Sequence, residues 1–192
     1  MRSFAYFAVK VLKACNRGFA EAPKKTSITP DYAMNNENKF LRTHLLELLD
    51  GGQAHAKFDD VVTDFPPNLR GEIPKGLPHS GWMLLEHMRI AQWDILDFSR
   101  NPQYAEMKWP EDYWPKSSNP PSPAAWDKCV KSFHDNLDAI KKLVSNPKTD
   151  LFAKIPWGSG QTILREALLI ADHNSHHLGQ MIDVRRLLEI WK

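Results

Sequence analysis

Asp172-His173-Asn174-Ser175-His176-His177-Leu178-Gly179-Gln180 lies within the apolar-periodic stretch Thr162 to Trp191, and the reading of that stretch decides the fold. Ile163, Ile170, His177 and Val184 recur every seven residues; Ala167, Asn174, Met181 and Leu188 form a companion row, with Glu166, His173, Gln180 and Leu187 beside it. This is the seam of a buried helix. His173 and His177 sit in it where packing asks for leucine. Residues four apart on a helix face one way with Cβ atoms about 5–6 Å apart, so both imidazoles can reach one ion. With eight histidines in 192 residues, roughly 0.3 such pairs arise by chance. The pair gains meaning only if another segment supplies a third ligand with the same seam anomaly.

A second segment does. Ser80 reads as the N-cap of a helix from Gly81 to about Arg100, with a seam of Leu84, His87, Ala91, Asp94 or Ile95, and Phe98. Alone, His87 would be a core histidine bonded to a neighbour, because buried polar groups find partners. With His173 and His177 it completes three histidines from two helices, the ligand set of an open, catalytic-type metal site. Zinc is favoured; imidazole also suits nickel, iron and copper, and manganese is a further option. Position 174 is Asn, so the HExxH arrangement and its general base are missing and peptide hydrolysis is disfavoured. No cysteine or fourth histidine falls on the right faces to close the site. Asn174, Gln180 and Asp94 flank the seam and are candidates for orienting the ligands, or else polar residues at the bundle edge. His176 falls on the flank with Asp172 and Arg165, outside the ligand set.

The remaining helices follow from the same periodicity. Asn35 to Asp50 reads as a first helix capped by Asn35 or Asn36, with Phe40, Leu41, Leu45, Leu48 and Leu49 as its face and Gly51-Gly52 ending it. Ala54 to Phe65 is a second helical piece closed by Pro66-Pro67. Pro123 to Ser145 is expected to open on Ser122 as N-cap with proline at N1, with Trp126, Val130, Phe133, Leu137, Ile140 and Val144 along its face. His44 and His55 read as surface or partly buried residues, and His134 falls off its helix's stripe into solvent. Residues 101–121 hold five prolines among Tyr104, Trp109, Tyr113 and Trp114; the aromatics argue against disorder and for a packed strap, with a lid over the site as the alternative.

No alternating strand pattern and no internal repeat is visible, so the class is all-α. A 20-residue helix is about 30 Å long, and a 21-residue connector reaches about 70 Å. The 101–121 segment can therefore return along the helices and make its two neighbours parallel. That gives a four-helix bundle of up-down-down-up topology.

The formal charge of +2 and the lack of a dense basic run speak against nucleic acid. Cys15 and Cys129 are too few and too far apart for a disulfide framework, which fits a cytoplasmic setting. Met1 to Ala22 is apolar, and Ala20-Glu21-Ala22 mimics a cleavage site. Lys10, Lys13 and Arg17 interrupt it, however, and leave only Phe4 to Val9 as a clean run, too short for a secretory core or a membrane span. Residues 1–33 therefore read as an appendage to a 34–192 domain, with Met34 as an alternative start.

Leu85-Glu86-His87-Met88 to Trp93, Asp172-His173-Asn174 to His177-Leu178-Gly179-Gln180, and Arg185-Arg186-Leu187-Leu188 closely resemble the DinB-like (DinB/YfiT-like) superfamily over residues 35–192. The resemblance implies an up-down-down-up four-helix bundle that holds a divalent metal through one His on the second helix and an HxxxH on the fourth. On this chain those are His87, His173 and His177. It also implies chemistry like that of thiol-dependent S-transferases and a maleylpyruvate isomerase, in which the metal activates a low-molecular-weight thiol toward a small-molecule electrophile, with a homodimer as one assembly. A metal-dependent hydrolase, or a non-catalytic metal- or ligand-binding bundle, are the alternatives.

Overall fold

Ser80 and Thr162 set where the two histidine helices begin. Each has extended backbone, and each hydroxyl accepts from the N–H three residues on, Met83 and Arg165, at 3.2 Å. Such a cap satisfies an orphan donor of the first turn and contributes about 1 kcal/mol. In the computed structural model, which describes residues 30–191, the helices are α1 (Pro30–Asp50), α2 (Phe58–Val62), α3 (Gly81–Arg100), α4 (Ala125–Ser145) and α5 (Ile163–Leu187), with a 3-10 turn at Pro67–Leu69. A compact unit starts at Asn36. Among the described residues there is no strand, only an isolated bridge between Lys154 and Thr162. The all-α expectation holds. None of the described helices is long and apolar enough to cross a membrane.

Three boundaries depart from the sequence reading. α1 starts at Pro30, five residues before the expected asparagine cap. Proline suits a first helical turn because its missing N–H has no partner there anyway, so Met34 lies inside the helix and not ahead of it. The 1–29 part of the expected appendage, with Cys15, lies outside the described residues. α2 has only five residues, because Thr63 turns extended and Asp64 takes a left-handed φ of 54°. α4 begins at Ala125 rather than Pro123: the Ala125 N–H bonds the Ser122 carbonyl at 3.0 Å in a turn, and Ala124 caps the helix without a side-chain bond.

Two apolar clusters form the interior. One joins Phe58, Phe65, Trp82, Leu85, Trp126, Phe133 and Val184. The other joins Leu45, Leu96, Ile140, Val144 and Ile170. Gly81 is required by the first: a Cβ there would lie 2.6 Å from the Phe65 ring. Arg185 fixes the same end although only 7% exposed. Its guanidinium donates to the carbonyls of Val61, Thr63 and Ile190 at 2.6, 2.8 and 3.1 Å and lies over Phe65 and Trp191.

A polar layer crosses the interior among these clusters. Gln92, buried in α3, donates to the Phe133 carbonyl of α4 at 2.7 Å and accepts from Asn174 of α5 at 2.9 Å. Glu86 of α3 accepts from the Cys129 thiol of α4 at 3.0 Å; Cys129 is a free, buried thiol. Its pKa is pushed far up by burial and by the Glu86 charge, which keeps it an inert thiol. His44 and His55 are exposed. His134 faces solvent as expected, bonded to Asp59 at 2.8 Å.

Candidate metal centre

The seam positions that broke the apolar pattern meet in space. His87 Nε2 lies 3.1 Å from His177 Nε2 and 3.1 Å from His173 Nε2. Ligand atoms of all three fall within 4.8 Å of one another, so these residues can hold a metal ion. His87 is 2% and His177 8% exposed, and His173 is half-buried.

Hydrogen bonds on the far side of each ring decide what the near side presents. His87 Nδ1 faces the Tyr113 carbonyl at 2.8 Å. A carbonyl only accepts, so Nδ1 carries the proton and Nε2 offers a lone pair. His177 Nδ1 donates to Gln180 Oε1 at 2.7 Å, with the same consequence for its Nε2. Desolvation lowers the pKa of His173 to about 3 and of His177 to about 4, reinforced for His173 by His177 and His87. His87 is lowered too, again first by burial. The neutral His87 and His177 rings therefore aim lone pairs at each other across 3.1 Å, and His173 Nε2 stands 3.1 Å from His87 Nε2. That arrangement is repulsive unless a cation stands among them. Tetrahedral zinc with nitrogens at 2.0–2.1 Å separates those nitrogens by about 3.3 Å, so the residues fit such an ion.

Gln180 holds the His177 ring from behind. The Asn174 amide donates to Gln92, and an interaction of its side chain with His173 raises that ring's pKa against the larger effect of burial. Asp94 acts at one remove. It is buried and accepts from the Tyr104 and Tyr113 hydroxyls at 2.9 and 2.7 Å, and Tyr113 in turn holds His87 through its carbonyl. His176 is exposed, on the flank predicted for it.

The 101–121 segment packs as a strap, and it also walls the centre. Trp114 lies between His87 and His79 in a three-ring stack, with centroids 3.8 and 4.1 Å away and planes within 4° and 17°. Trp109, 67% exposed, tilts toward His87 from the rim. Sequence reasoning flagged the aromatics of this segment but not the Tyr113 carbonyl, since backbone groups carry no sequence signature. It also passed over His79, a connector residue whose Nδ1 is buried without a partner, and Gln92, and it gave Glu166 no role beyond a place in the row beside the seam. No family model, curated protein or solved structure matches this chain.

Proposed function

We propose that this chain is a metal-dependent enzyme of the DinB-like type that activates a low-molecular-weight thiol for transfer to a small electrophile. The observation that carries the metal is the convergence of three imidazoles, with His87 Nε2 3.1 Å from the Nε2 of each of the others and the two buried rings fixed in tautomer by a bond behind them. The thiol rests on the sequence resemblance and on the missing HExxH base. His87, His173 and His177 would hold the ion. The cluster has three members among the described residues, which leaves room for substrate, as in catalytic rather than structural sites. A divalent ion there would lower the pKa of a thiol or water taking the remaining position.

The chain's own residues do the rest. Tyr113 and Gln180 keep two rings aimed inward, which preserves ligand geometry through a reaction cycle. Trp114 covers the His87 face and excludes water from that side. The bundle we read behind the centre is up-down-down-up. It is supported by contacts that step in opposite directions along α3 and α5 (His87 with His177, Gln92 with Asn174) and in the same direction along α3 and α4 (Glu86 with Cys129, Gln92 with Phe133).

Elemental analysis of tag-free protein should find about one divalent ion per chain. Loaded protein should then consume a small thiol together with an electrophile, and lose that activity with the metal. Ester or amide cleavage that persists without thiol would replace transferase with hydrolase. Metal binding with neither activity would leave a stabilised, non-catalytic bundle.

A further inference from the structure

Residues of α3 and α5 line a cleft of about 560 Å³ bounded by Asp94, Phe98, Tyr104, Trp157, Arg165 and Glu166. Asp94 stands seven residues after His87, and Glu166 seven before His173. Seven residues bring a helix back to nearly the same face about 10 Å along its axis. The two acids thus extend the histidine faces of their own helices, and both line the one cleft.

The charge of this cleft is unbalanced. Asp94 is held by two neutral hydroxyls, which fix it without compensating it. Glu166 is 2% exposed, and its hydrogen-bond partner among the described residues is Arg165, whose side chain is 56% exposed. Only one of its oxygens takes that bond. Glu106 adds a third carboxylate at the exposed rim. One guanidinium therefore answers three acids. The walls between them are aromatic: Phe98 and Tyr104 meet edge to face at 5.2 Å, and the Trp157 indole is pinned by donating to the Phe98 carbonyl at 2.7 Å. Burial raises the pKa of Glu166, a cost that a cation in the cleft would relieve. Aromatic faces beside under-compensated carboxylates attract organic cations. An anion would be repelled, and an uncharged group would desolvate the acids without pairing them.

We propose that this cleft binds an organic ammonium group, the far end of a small molecule whose reactive end reaches the three histidines. The second half of that statement rests on the metal-dependent reading above; the ammonium site does not. A ligand about 10 Å long spans both sites.

Calorimetric titration of the full chain with benzylammonium, benzyl alcohol and benzoate tests it. Benzylammonium should bind at least about tenfold more tightly than either analogue. Glu166→Gln should lose most of that preference. Glu106→Gln, at an exposed position that no packing depends on, should weaken it by about threefold. His87→Ala should lose metal yet keep the benzylammonium affinity. Equal affinities, a preference for benzoate, no binding of benzylammonium, or an unchanged preference in both glutamate variants would each overturn the proposal. Normal metal binding with no ammonium preference would sink the cleft and spare the metal centre. Ammonium binding in a chain that takes up no metal would do the reverse.

Discussion

Ile170 and His177 stand one heptad apart on the same seam of α5, and both are buried, to 1% and 8% exposure. Their surroundings differ in kind. Ile170 meets Leu96, Ile140 and Val144, and its burial stabilises the fold by roughly 1.5–3 kcal/mol whatever else the protein does. His177 meets two other imidazoles and a glutamine, and its burial is unfavourable until something positive joins it. One end of the seam packs apolar side chains, the other gathers imidazoles that could hold a metal ion, and a period of 3.6 residues cannot tell them apart. Only residue chemistry can.

The sharpest way to break this contrast is to exchange what the two positions do. His177→Ala and His87→Ala should each abolish tight metal binding, a loss of at least about a hundredfold in zinc affinity by calorimetry. Retained metal in His87→Ala would mean the three nitrogens are not a ligand set. Ile170→Ala should instead cost about 2–5 kcal/mol in urea unfolding, with metal content per folded chain unchanged.

Acid should destabilise the fold through its histidine end. The folded pKa values of His173 and His177 sit near 3 and 4, below the ordinary 6.5. The unfolded chain therefore binds more protons than the folded one between those limits. Stability of the metal-free protein is complete above pH 6.5 and declines as pH falls through that window, by about 1–2 kcal/mol per histidine at pH 5. Denaturation in chelator at pH 7.5 and pH 5 checks the sign; a rise in stability toward pH 5 would refute the neutral-ring assignment.

Smaller effects sharpen the picture. Gln180→Ala leaves the ligands in place but frees the His177 ring, so zinc affinity should fall about tenfold. His176→Ala should change it hardly at all. The reverse order of His176 and His177 would mean the seam is misassigned.

Much of this arrangement was legible from residue types at helical spacing. Ser80 marked one helix start because capping is local chemistry, and His87, His173 and His177 stood out because imidazole is costly on an apolar face. Asp94 and Gln180 were visible as polar neighbours. The partners of Asp94 and His87 were not, since the Tyr104 and Tyr113 hydroxyls and the Tyr113 carbonyl arrive from a proline-rich segment whose path no periodicity encodes. The same holds for α2: Phe58, Val61, Val62 and Phe65 read as one helix face, yet Asp64 leaves the helix and Phe65 reaches Gly81 by another route. Nothing in the helical period explains why Arg185 is buried; its bonds to three carbonyls across the fold do.

Trp114 makes the centre accessible to light. It is one of seven tryptophans, but its indole lies in face contact with His87, 3.8 Å between centroids. An open-shell ion such as nickel or copper on the far nitrogen of that imidazole sits one aromatic ring away from an emitting indole, close enough to drain its excited state. Zinc, with a filled d shell, has no low-lying state to accept the energy. The ultraviolet emission of the loaded protein therefore distinguishes classes of resident metal, and Trp114→Phe removes the part of the signal that carries the distinction.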